Sequence, residues 1–495
     1  MSNYPPPYFL FPFQFSRINE RDEVLLVNEV GEFKFVKSEI FNKLINYSLD
    51  TNSQIFLDLK GKHFVTDTEI YPVVDLLATK YRTKKAFLRN FTTLHMVVVT
   101  LRCNGCCRYC HASSEPPEQL QWDMTPSIAR KVVNTIFQSP APAIKIEFQG
   151  GEPLLNWEVV KGIVQYAELL NKRAHKKLEF VLCTNLILIN EDILSFMKRH
   201  NIMLSTSLDG PKDIHDKNRI LRNGESSYDK FIEKLRLSQK ILGQENISAL
   251  MTTSKANIKR LKEVVDEYIK QGFRGIFLRS LNPYGFAKRD YESLWYDIEE
   301  FIESYKETLR YIIKLNMEGN YFEEYYTTLL LTRILTPFST GFVDLQSPSG
   351  AGISGAVYDY NGDVYPADEA RMLAKMGNKR FLMGNVAKDN YLDIFAGKLL
   401  QEIINNACTE TLPGCALCVF QPYCGADPIR NYSEQGDMIG HRPTNDFCKK
   451  HEMIFNFLFE LIRENNDEVM DVFWSWITKR SLKEIQDVEL SREGS

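Results

Sequence analysis

The sequence lacks a long apolar run: none approaches the roughly 20 residues that a helix needs to span a bilayer. The aromatic opening from Tyr4 to Phe15 is interrupted by prolines and lacks the positively charged start of a secretory signal. We therefore expect a cytoplasmic protein with no membrane partner. The sequence also lacks an excess of positive charge, since its net charge is −4 and no window forms a basic stripe. Nucleic acid is therefore not an expected partner.

The composition is otherwise that of a soluble globular protein, with 44% hydrophobic and 25% charged residues among 495. A chain of this length exceeds one compact core, so roughly two or three domains are expected. Ten cysteines are present. In a reducing cytoplasm, cysteines serve as metal ligands or catalytic groups rather than as disulfides, and we interpret these ten in that way.

The first predicted unit, residues 1–91, combines a hairpin with small helices. The β-rich runs are Val24–Val27 and Glu32–Val36, and the helical patterns are Glu39–Tyr47 and Tyr71–Lys80. Gly31 lies in the turn of the hairpin, and Ser38 is predicted to cap the first helix. This pattern resembles the winged-helix peptide-recognition element of peptide-modifying systems. A plain packing domain is an equally open interpretation.

The second predicted unit, residues 92–315, alternates short β-branched runs with amphipathic helical patterns. The runs are Met96–Leu101, Ala143–Phe148, Leu178–Leu182, Met203–Ser207, Ile247–Thr252 and Gly275–Leu278, and the helical patterns include Ser127–Gln138, Trp157–Leu170, Glu191–His200 and Ala256–Lys270. Such alternation predicts parallel strands in βαβ units. The expected fold class is α/β, with a partial (β/α)6 TIM-like barrel whose ligands lie at the carboxyl ends of its strands. A cysteine-bearing unit, 316–450, and a helical tail, 451–495, complete the predicted domains.

A dense cysteine motif follows the first predicted strand: Cys103-Asn-Gly-Cys106-Cys107-Arg-Tyr-Cys110. Read as C-x2-C-C-x2-C, its four thiolates would suit tetrahedral zinc. Read as C-x3-C-x2-C, Cys103, Cys107 and Cys110 would hold a 4Fe-4S cluster and leave one iron without a protein ligand. That open iron is able to bind S-adenosylmethionine (SAM). The spacing favours the cluster without excluding zinc.

The surrounding sequence strengthens the cluster interpretation. Tyr109 immediately precedes the third cysteine of the set, and the second predicted strand ends in Gly150-Gly151-Glu152-Pro153. Consecutive glycines let a ligand approach the backbone closely, and a carboxylate such as Glu152 accepts hydrogen bonds from an amino group. Together, the cysteine loop and this segment resemble the SAM-binding motifs of the radical SAM superfamily.

The resemblance implies that SAM is cleaved to a 5′-deoxyadenosyl radical, and it suggests further SAM-binding residues. Thr184-Asn185 and Ser207-Leu208-Asp209-Gly210 follow the third and fourth predicted strands and match the peptide-modifying branch of the superfamily. By this likeness Ser207 contacts the SAM carboxylate, Asn185 lies near the ribose or carboxylate, and Arg219 is a weaker candidate for the carboxylate. Each is equally open to a simple role in a turn, a cap or the surface.

A second set of cysteines lies near the C-terminus: Cys415, Cys418, Cys424 and Cys448. Their spacing is that of metal ligands, and zinc is again an alternative. The set resembles part of the SPASM extension, which in full has seven motif cysteines and carries two auxiliary 4Fe-4S clusters. Where that pattern has its other three cysteines, this sequence has Ser349, Ala367 and Pro428.

The three absences belong to one cluster site of the family pattern, and the four remaining cysteines belong to the other. The resemblance therefore implies two clusters in all, one that binds SAM and one auxiliary. Four thiolates saturate the auxiliary cluster, so we expect it to transfer electrons or to hold the domain in shape. Cys106, Cys183 and Cys408 are left over and are interpreted as structural.

The expected chemistry also needs a base. When a substrate radical loses an electron, a side chain must take the accompanying proton. Asp368 directly follows Ala367, at the position of the proposed base in the related anaerobic sulfatase-maturating enzymes. On that likeness Asp368 is the candidate base and Glu369 is second. The alternative role for Asp368 is a cap on the following segment.

Three further segments resemble the maturases of the His-Xaa-Ser peptide system: Leu25–Phe33, Leu281–Ala287 and Tyr365–Met372. The likeness implies a ribosomally made precursor peptide as substrate and a second radical SAM maturase as partner, and we expect a flavodoxin or ferredoxin as electron donor. The expected function is oxidative modification of that peptide, with a crosslink as one product. Two alternatives stay open: a sulfatase-type maturase that makes formylglycine, and a zinc-binding peptide scaffold without redox activity.

The two cysteine sets predict about eight irons per chain after anaerobic reconstitution, because each would hold four. Iron and sulfide analysis with Mössbauer or EPR spectra checks this, and SAM should shift the signal of one cluster alone. About four irons would contradict the auxiliary cluster. About twelve would mean that ligands other than cysteine rebuild the lost site.

Overall fold

The computed structural model describes residues 6–18 and 21–486. The described residues exclude the first five residues of the predicted N-terminal unit, Tyr4 among them, and the last nine of the predicted tail. The strands are β1 (Phe9–Leu10), β2 (Phe13–Ile18), β3 (Glu23–Asn28), β4 (Phe33–Lys37), β5 (Val65–Thr66), β6 (Leu94–Thr100), β7 (Ala143–Gly150), β8 (Lys177–Cys183), β9 (Ile202–Ser207), β10 (Ile247–Leu250), β11 (Gly275–Ile276), β12 (Glu323–Glu324), β13 (Gly355–Tyr358), β14 (Asp363–Tyr365) and β15 (Gly384–Asn385).

Helices connect most of these strands. They are α1 (Ser38–Ile45), α2 (Gln54–Gly61), α3 (Ile70–Lys84), α4 (Pro126–Ile136), α5 (Trp157–Ala174), α6 (Glu191–Arg199), α7 (Lys212–Asn218), α8 (Ser227–Leu242), α9 (Leu261–Lys270), α10 (Phe286–Arg289), α11 (Tyr291–Leu294), α12 (Ile298–Met317), α13 (Tyr325–Leu335), α14 (Asp368–Lys375), α15 (Tyr391–Phe395), α16 (Lys398–Asn405), α17 (Pro428–Gln435), α18 (Asp446–Glu464) and α19 (Asp467–Thr478).

The central sheet confirms the predicted α/β class. Its eight strands follow the order β10-β9-β8-β7-β6-β13-β14-β15, and β6 to β10 pair in parallel with helices between them. Buried valines make β6 a core strand, since Val97, Val98 and Val99 are at most 1% exposed. A strand covered on both faces is typical of a parallel sheet. Five of the six predicted strands therefore form one sheet.

The sixth predicted strand differs from the expectation. In the structure β11 has only two residues and pairs with β12, so it does not extend the central sheet. The sheet instead grows on the other side of β6, where β13 adds in parallel and β14 and β15 follow as antiparallel strands. The expected sixfold barrel is therefore a five-stranded parallel arc that the C-terminal region extends.

The N-terminal unit contains the predicted hairpin as part of the antiparallel sheet β2-β3-β4. The Asn28 side chain holds its turn, because Asn28 Oδ1 accepts the N–H groups of Val30 at 3.2 Å and Glu32 at 2.9 Å. The predicted Ser38 cap is wrong: Lys37 occupies the N-cap of α1, with no side-chain cap, and Ser38 is the first helical residue. The winged-helix likeness stays a prediction.

Two C-terminal helices, α18 and α19, pack on α12 and α13. Trp476 of α19 is fully buried, and its indole Nε1 donates to Asn316 Oδ1 of α12 at 3.3 Å. No helix of the described residues is both long and apolar enough to cross a membrane. Trp476 is therefore one of several buried side chains, with Val472 and Phe473, that anchor α19 to the rest of the chain.

Replacing Trp476 with Ala should lower the free energy of unfolding by ~3–5 kcal/mol, because it leaves a large cavity between α19 and α12. Urea unfolding followed by circular dichroism measures this loss. Trp474→Ala is the matched control, since Trp474 lies on the same helix and is only half-buried. An equal loss in both variants would contradict the anchoring role of Trp476.

Candidate active site

The cysteine loop lies on the carboxyl-terminal side of the sheet, directly after β6. Its two ends meet, since the Cys103 N–H donates to the Glu115 carbonyl at 2.9 Å. Its middle rests on the segment that follows α7, where the Cys106 N–H donates to the Ile220 carbonyl at 2.8 Å. The backbone thus fixes the loop at the end of the sheet where parallel α/β folds bind ligands.

Cys103, Cys107 and Cys110 lie close enough to influence one another. A Cβ built on Gly105 would lie 3.7 Å from Cys103 Sγ and 3.9 Å from Cys107 Sγ, so this glycine lies between the two sulfurs. Burial raises the pKa of Cys103 well above its usual range, and the charges of Cys107, Glu152 and Cys110 raise it further. Burial also raises the pKa of Cys107 to about 12. Ligation to positive iron is what would keep such thiols ionised.

Six buried polar atoms in this region have no hydrogen-bond partner within the described residues: Asn104 Nδ2, His111 Nε2, Ser114 Oγ, Arg219 Nε, Tyr284 Oη and Arg371 Nη1. The first three belong to the loop itself. The charge of Arg219 lowers the pKa of Cys107, and the charge of Cys110 raises the pKa of Arg371. Both guanidinium groups therefore lie near the thiols. Native proteins leave few buried polar groups unsatisfied, so this grouping indicates a polar ligand. A cluster with bound SAM fits that requirement.

The separations of the cysteine side chains do not decide between a single metal ion and a cluster. Tetrahedral zinc needs its sulfur ligands within about 4 Å of one another. Among residues 6–18 and 21–486, no three His, Cys, Asp or Glu side chains converge in that way. The zinc interpretation therefore gains no support from the geometry of either cysteine set.

Gly150 and Gly151 lie where β7 crosses the start of the cysteine loop. A Cβ on Gly150 would lie 2.1 Å from the Thr100 carbonyl oxygen, and one on Gly151 would lie 2.2 Å from that of Arg102. The close approach that the sequence predicted is therefore made by the chain's own backbone. Contact of either glycine with SAM stays a prediction.

Glu152 is fully buried and joins three strand ends. Its carboxylate accepts the Leu154 N–H at 3.1 Å, the Thr184 hydroxyl at 2.7 Å and the Asn185 N–H at 2.9 Å. Burial raises its pKa to about 7, against the effect of these donors. Pro153 follows as a buried residue that starts a 3-10 turn. The predicted contact of Glu152 and Pro153 with SAM is untested, and the observed role of Glu152 is to fix Asn185 beside the loop.

A residue that the sequence did not single out, Asp209, organises the other side of the loop. Its carboxylate accepts the Tyr109 hydroxyl, Asn218 Nδ2 at 3.2 Å and Arg219 Nη2 at 3.2 Å. The Arg219 guanidinium lies over the Tyr109 ring, 5.4 Å from its centroid. Tyr109 and Arg219 are thus brought together, and Arg219 Nε stays free for a ligand. The sequence feature that could have identified Asp209 is a carboxylate that closely follows a buried strand.

The remaining predicted SAM residues lie at neighbouring strand ends. Asn185 Nδ2 donates to Asn104 Oδ1 at 2.8 Å and lies 4.0 Å from Cys103 Sγ. Ser207 is the half-buried last residue of β9. Since β8 and β9 are adjacent, both side chains are on the same edge of the sheet as the cysteine loop. Their contact with SAM stays a prediction.

The structure also brings together the four C-terminal cysteines. Burial raises the pKa of Cys424, and the charges of Cys418, Cys415 and Cys448 raise it further. Cys448 lies in the first turn of α18, where Asn445 Oδ1 accepts its N–H at 2.9 Å. An auxiliary cluster at these four thiols stays a prediction.

Other residues occupy the three positions where the family pattern has cysteine. Ser349 and Ala367 are buried, and Pro428 is the first residue of α17. Of the leftover cysteines, Cys183 ends β8 and its thiol donates to Glu147 Oε1 at 3.4 Å.

A cavity of about 450 Å³ lies next to the cysteine loop. One wall is apolar and includes Phe277, Phe342 and Phe447, and the other is charged and includes Arg279, Asp344, Asp368, Glu369, Asp427, Arg430 and Lys450. The segment after Arg279 separates cavity and loop, since a Cβ on Gly285 would lie 2.5 Å from the carbonyl oxygens of Cys110 and His111. The cavity is thus placed to receive a substrate beside the loop.

Asp368 and Glu369 line this cavity in different states. Asp368 is the first residue of α14, behind the N-cap Ala367, and it makes no cap, so the alternative role as a cap is wrong. Its Oδ1 accepts Arg371 Nε at 3.0 Å. Burial raises the pKa of Glu369 to about 8, and the charges of Asp344, Asp427 and Asp368 add to the rise. At neutral pH Glu369 therefore mostly holds a proton.

Known proteins resemble this chain at the levels of family, sequence and fold. The family described as the radical SAM superfamily matches residues 97–267. An uncharacterized protein of Methanocaldococcus jannaschii, MJ0907, is 31% identical over 44% of this chain and 72% of its own length. The cysteine-type anaerobic sulfatase-maturating enzyme of Clostridium novyi is 22% identical over 72% of this chain and 91% of its own. The family match covers the cysteine loop and the strands from β6 to β10.

A solved structure shares the fold. It is titled native anSMEcpe with bound AdoMet and Cp18Cys peptide. It aligns with a TM-score of 0.63 at 20% identity and covers 75% of this chain and 98% of its own. Identity this low shows the likeness of fold alone.

Replacing Cys103, Cys107 or Cys110 singly with Ala should lower the iron content by about four atoms and abolish SAM cleavage, because three thiolates are needed to hold that cluster. Cys106→Ala is the matched control within the same loop and should keep both. Iron analysis and chromatography of 5′-deoxyadenosine measure the two results. Loss of the cluster in Cys106→Ala with retention in Cys103→Ala would contradict the ligand assignment.

Proposed function

Since this chain belongs to the radical SAM superfamily, we propose that it oxidatively modifies a ribosomally made precursor peptide after reductive cleavage of SAM. The observation that supports the proposal most directly is the grouping of unsatisfied buried donors around three thiols, next to a cavity with a carboxylate wall. Membership of this superfamily removes the alternative of a zinc-binding scaffold without redox activity.

The residues of the cysteine loop have defined tasks in this proposal. Cys103, Cys107 and Cys110 hold the cluster, which with bound SAM supplies a 5′-deoxyadenosyl radical. Asn104 Nδ2 and Arg219 Nε are unsatisfied donors that would bind polar groups of SAM. Asp209 holds Arg219 and Tyr109 in place, and Glu152 holds Asn185. Gly150, Gly151, Pro153 and Ser207 complete the proposed SAM site.

Asp368 is the proposed proton acceptor. Arg371 binds Asp368 Oδ1, and no hydrogen bond occupies Asp368 Oδ2 within the described residues, so that oxygen is open to a substrate in the cavity. Glu369 also lines the cavity, but it holds a proton at neutral pH because its pKa is about 8. A group that already carries the proton cannot accept another, so Glu369 is the weaker candidate below that pH.

Cys415, Cys418, Cys424 and Cys448 would hold an auxiliary cluster that could accept the electron lost by the substrate. Because four thiolates would fill every iron, the cluster would transfer electrons or hold the domain in shape rather than bind substrate. A flavodoxin or ferredoxin is the proposed external electron donor. Because four thiolates close the site, the substrate binds instead in the cavity that Asp368 lines.

The proposed domains divide the work. Residues 1–91 would bind the precursor peptide, 92–315 would bind SAM, 316–450 would hold the auxiliary cluster, and 451–495 would brace the others. The peptide bound in the solved relative supports a peptide substrate. A second radical SAM maturase is the proposed protein partner, and the cytoplasm is the proposed location.

Oxidation of one Ser or Cys to formylglycine is the second candidate, and the Clostridium novyi relative favours it because the match spans 91% of that enzyme. The absence of cysteine at Ser349, Ala367 and Pro428 argues against it, since the sulfatase-maturating enzymes carry both auxiliary clusters in the family pattern. Oxidation of Ser to the aldehyde and formation of a crosslink both remove two hydrogens, so fragmentation of the product peptide by mass spectrometry is needed to separate them. Conversion of Cys to formylglycine also replaces sulfur with oxygen, so the intact mass separates that reaction.

Replacing Asp368 with Asn should lower peptide turnover by about 100-fold or more, because the amide cannot accept the proton. Formation of 5′-deoxyadenosine should continue, since SAM cleavage precedes proton loss. Mass spectrometry of the peptide and chromatography of 5′-deoxyadenosine, measured together, check both parts. Full peptide turnover in this variant would remove Asp368 as the base.

Glu369→Gln is the matched variant and should keep turnover at pH 7. In the wild type, Glu369 loses its proton as the pH rises through about 8, which adds negative charge to the cavity. Any change in turnover near that pH should therefore be absent in Glu369→Gln, as a pH–rate profile would show. If turnover instead rises through pH 8 in the wild type and is lost in Glu369→Gln, then Glu369 is the base.

A further inference from the structure

A small cavity behind the C-terminal cysteines is lined by residues from three parts of the chain. It measures about 20 Å³. Lys84 and Lys85 come from the end of α3, Arg333 comes from α13, and Glu410 and Cys424 come from the cysteine-rich segment. The N-terminal unit therefore reaches the proposed auxiliary site through the last turn of α3.

Two of these side chains are cations without a carboxylate partner. Within the described residues, Lys84 Nζ donates to the Arg333 carbonyl at 3.3 Å and lies over the Tyr423 ring, 5.4 Å from its centroid. Arg333 Nε donates to the Tyr423 carbonyl at 2.6 Å. The carboxylate that acts on Lys84 is Glu32, and it is bound to Lys80 at 2.6 Å.

Such a pair is costly on its own, because a buried charge needs a partner of opposite sign. Burial and the charge of Arg333 lower the pKa of Lys84 to about 7. Burial lowers the pKa of Arg333 to about 10, and the charge of Cys424 opposes that change. Tyr326 and Glu410 act on the pKa of Arg333 in the same direction as Cys424. Because Cys424 lines the same cavity as Lys84 and Arg333, a cluster held there would place negative charge beside both cations.

Glu410 borders the same cavity with the opposite charge. It pairs with Lys85 and accepts the Tyr81 hydroxyl at 3.2 Å. Its charge also raises the pKa of Cys415, so this carboxylate acts on the cysteine set from the same side as Lys84. Lys84 and Glu410 border the site with opposite charges. Removing each charge in turn should therefore shift the properties of the site in opposite directions.

We propose that Lys84 and Arg333 are the counter-charges of the auxiliary cluster and that Lys84, from the N-terminal unit, raises its reduction potential. The inference rests on the proposed auxiliary site. Reduction adds one electron to the cluster and no proton, so the negative charge held by the four thiolates and irons grows by one. Nearby cations stabilise the more negative form more strongly, and the potential rises.

This arrangement makes Lys84 a positioning residue for electron transfer. Because α3 belongs to the proposed peptide-binding unit, docking of that unit and readiness of the cluster to accept an electron would be linked. Substrate-derived electrons would then be taken up most readily when α3 is in place. Linkage of this kind is reciprocal, so the charge of the cluster would also hold α3 against the cysteine-rich segment.

The test is a redox titration of the reconstituted full-length enzyme with dithionite and mediators, followed by EPR. The auxiliary signal is the one that SAM does not shift. Lys84→Met should move its midpoint to a more negative potential, and Lys84→Arg should restore it. Glu410→Gln should move it to a more positive potential. Arg82→Met is the control, because Arg82 is exposed on the same helix and does not line the cavity, and it should leave the midpoint unchanged.

A midpoint in Lys84→Met equal to that in Arg82→Met would overturn the proposal. If Lys84→Met fails to hold its irons, Glu410→Gln decides, because it keeps the size and shape of the side chain. An unshifted midpoint in that variant overturns the proposal as well. Iron analysis distinguishes failure of this inference from failure of the proposed function. About four irons in the wild type would remove the auxiliary cluster and this inference with it. SAM cleavage would then still support the proposed catalytic site.

Discussion

The position of the cysteine loop depends on one backbone crossing. At Gly150 and Gly151 the end of β7 meets the Thr100–Arg102 segment so closely that a Cβ would approach carbonyl oxygens to 2.1 and 2.2 Å. The Gly151 and Glu152 N–H groups bind the carbonyls of Thr100 and Arg102 at 2.9 and 2.7 Å. The crossing turns Glu152 inward to hold Asn185, so the loop and two further strand ends share one fixed frame. A ligand bound to this frame meets groups that are already oriented.

The parts of the fold that the sequence predicted are those governed by local patterns. Strands β6 to β10 are recognisable because buried parallel strands are continuous β-branched runs. Strand β13 escaped prediction, since it is short and its pairing with β6 joins residues more than 250 positions apart. The Ser38 cap failed because the backbone enters α1 one residue earlier, where Lys37 is still extended. Local propensity does not determine a boundary that tertiary packing shifts by one residue.

The site shows the same division. Spacing predicts seven cysteines as ligands, because metal ligands recur at fixed separations, and that ligand set stays a prediction. Spacing could not identify Asp209 as the residue that binds Tyr109, Asn218 and Arg219, since these residues meet only after β9 folds beside the loop. The cavity with one apolar and one charged wall could not be predicted from the sequence either, because its walls come from the sheet, α13, α14 and α18. Sequence therefore predicts ligand sets better than the shells that support them.

Alanine in place of cysteine at position 367 affects the charge and the space at one wall of the cavity. Ala367 lines the cavity and Asp368 follows it, so an uncharged methyl group stands where the family pattern has a metal-bound thiolate. A full second auxiliary cluster would bring negative charge and bulk to this wall. With alanine at this position, Asp368 borders the cavity while its Oδ1 accepts Arg371 Nε. The missing cysteine and the carboxylate-lined wall therefore meet at Ala367, whereas Ser349 and Pro428 do not line the cavity.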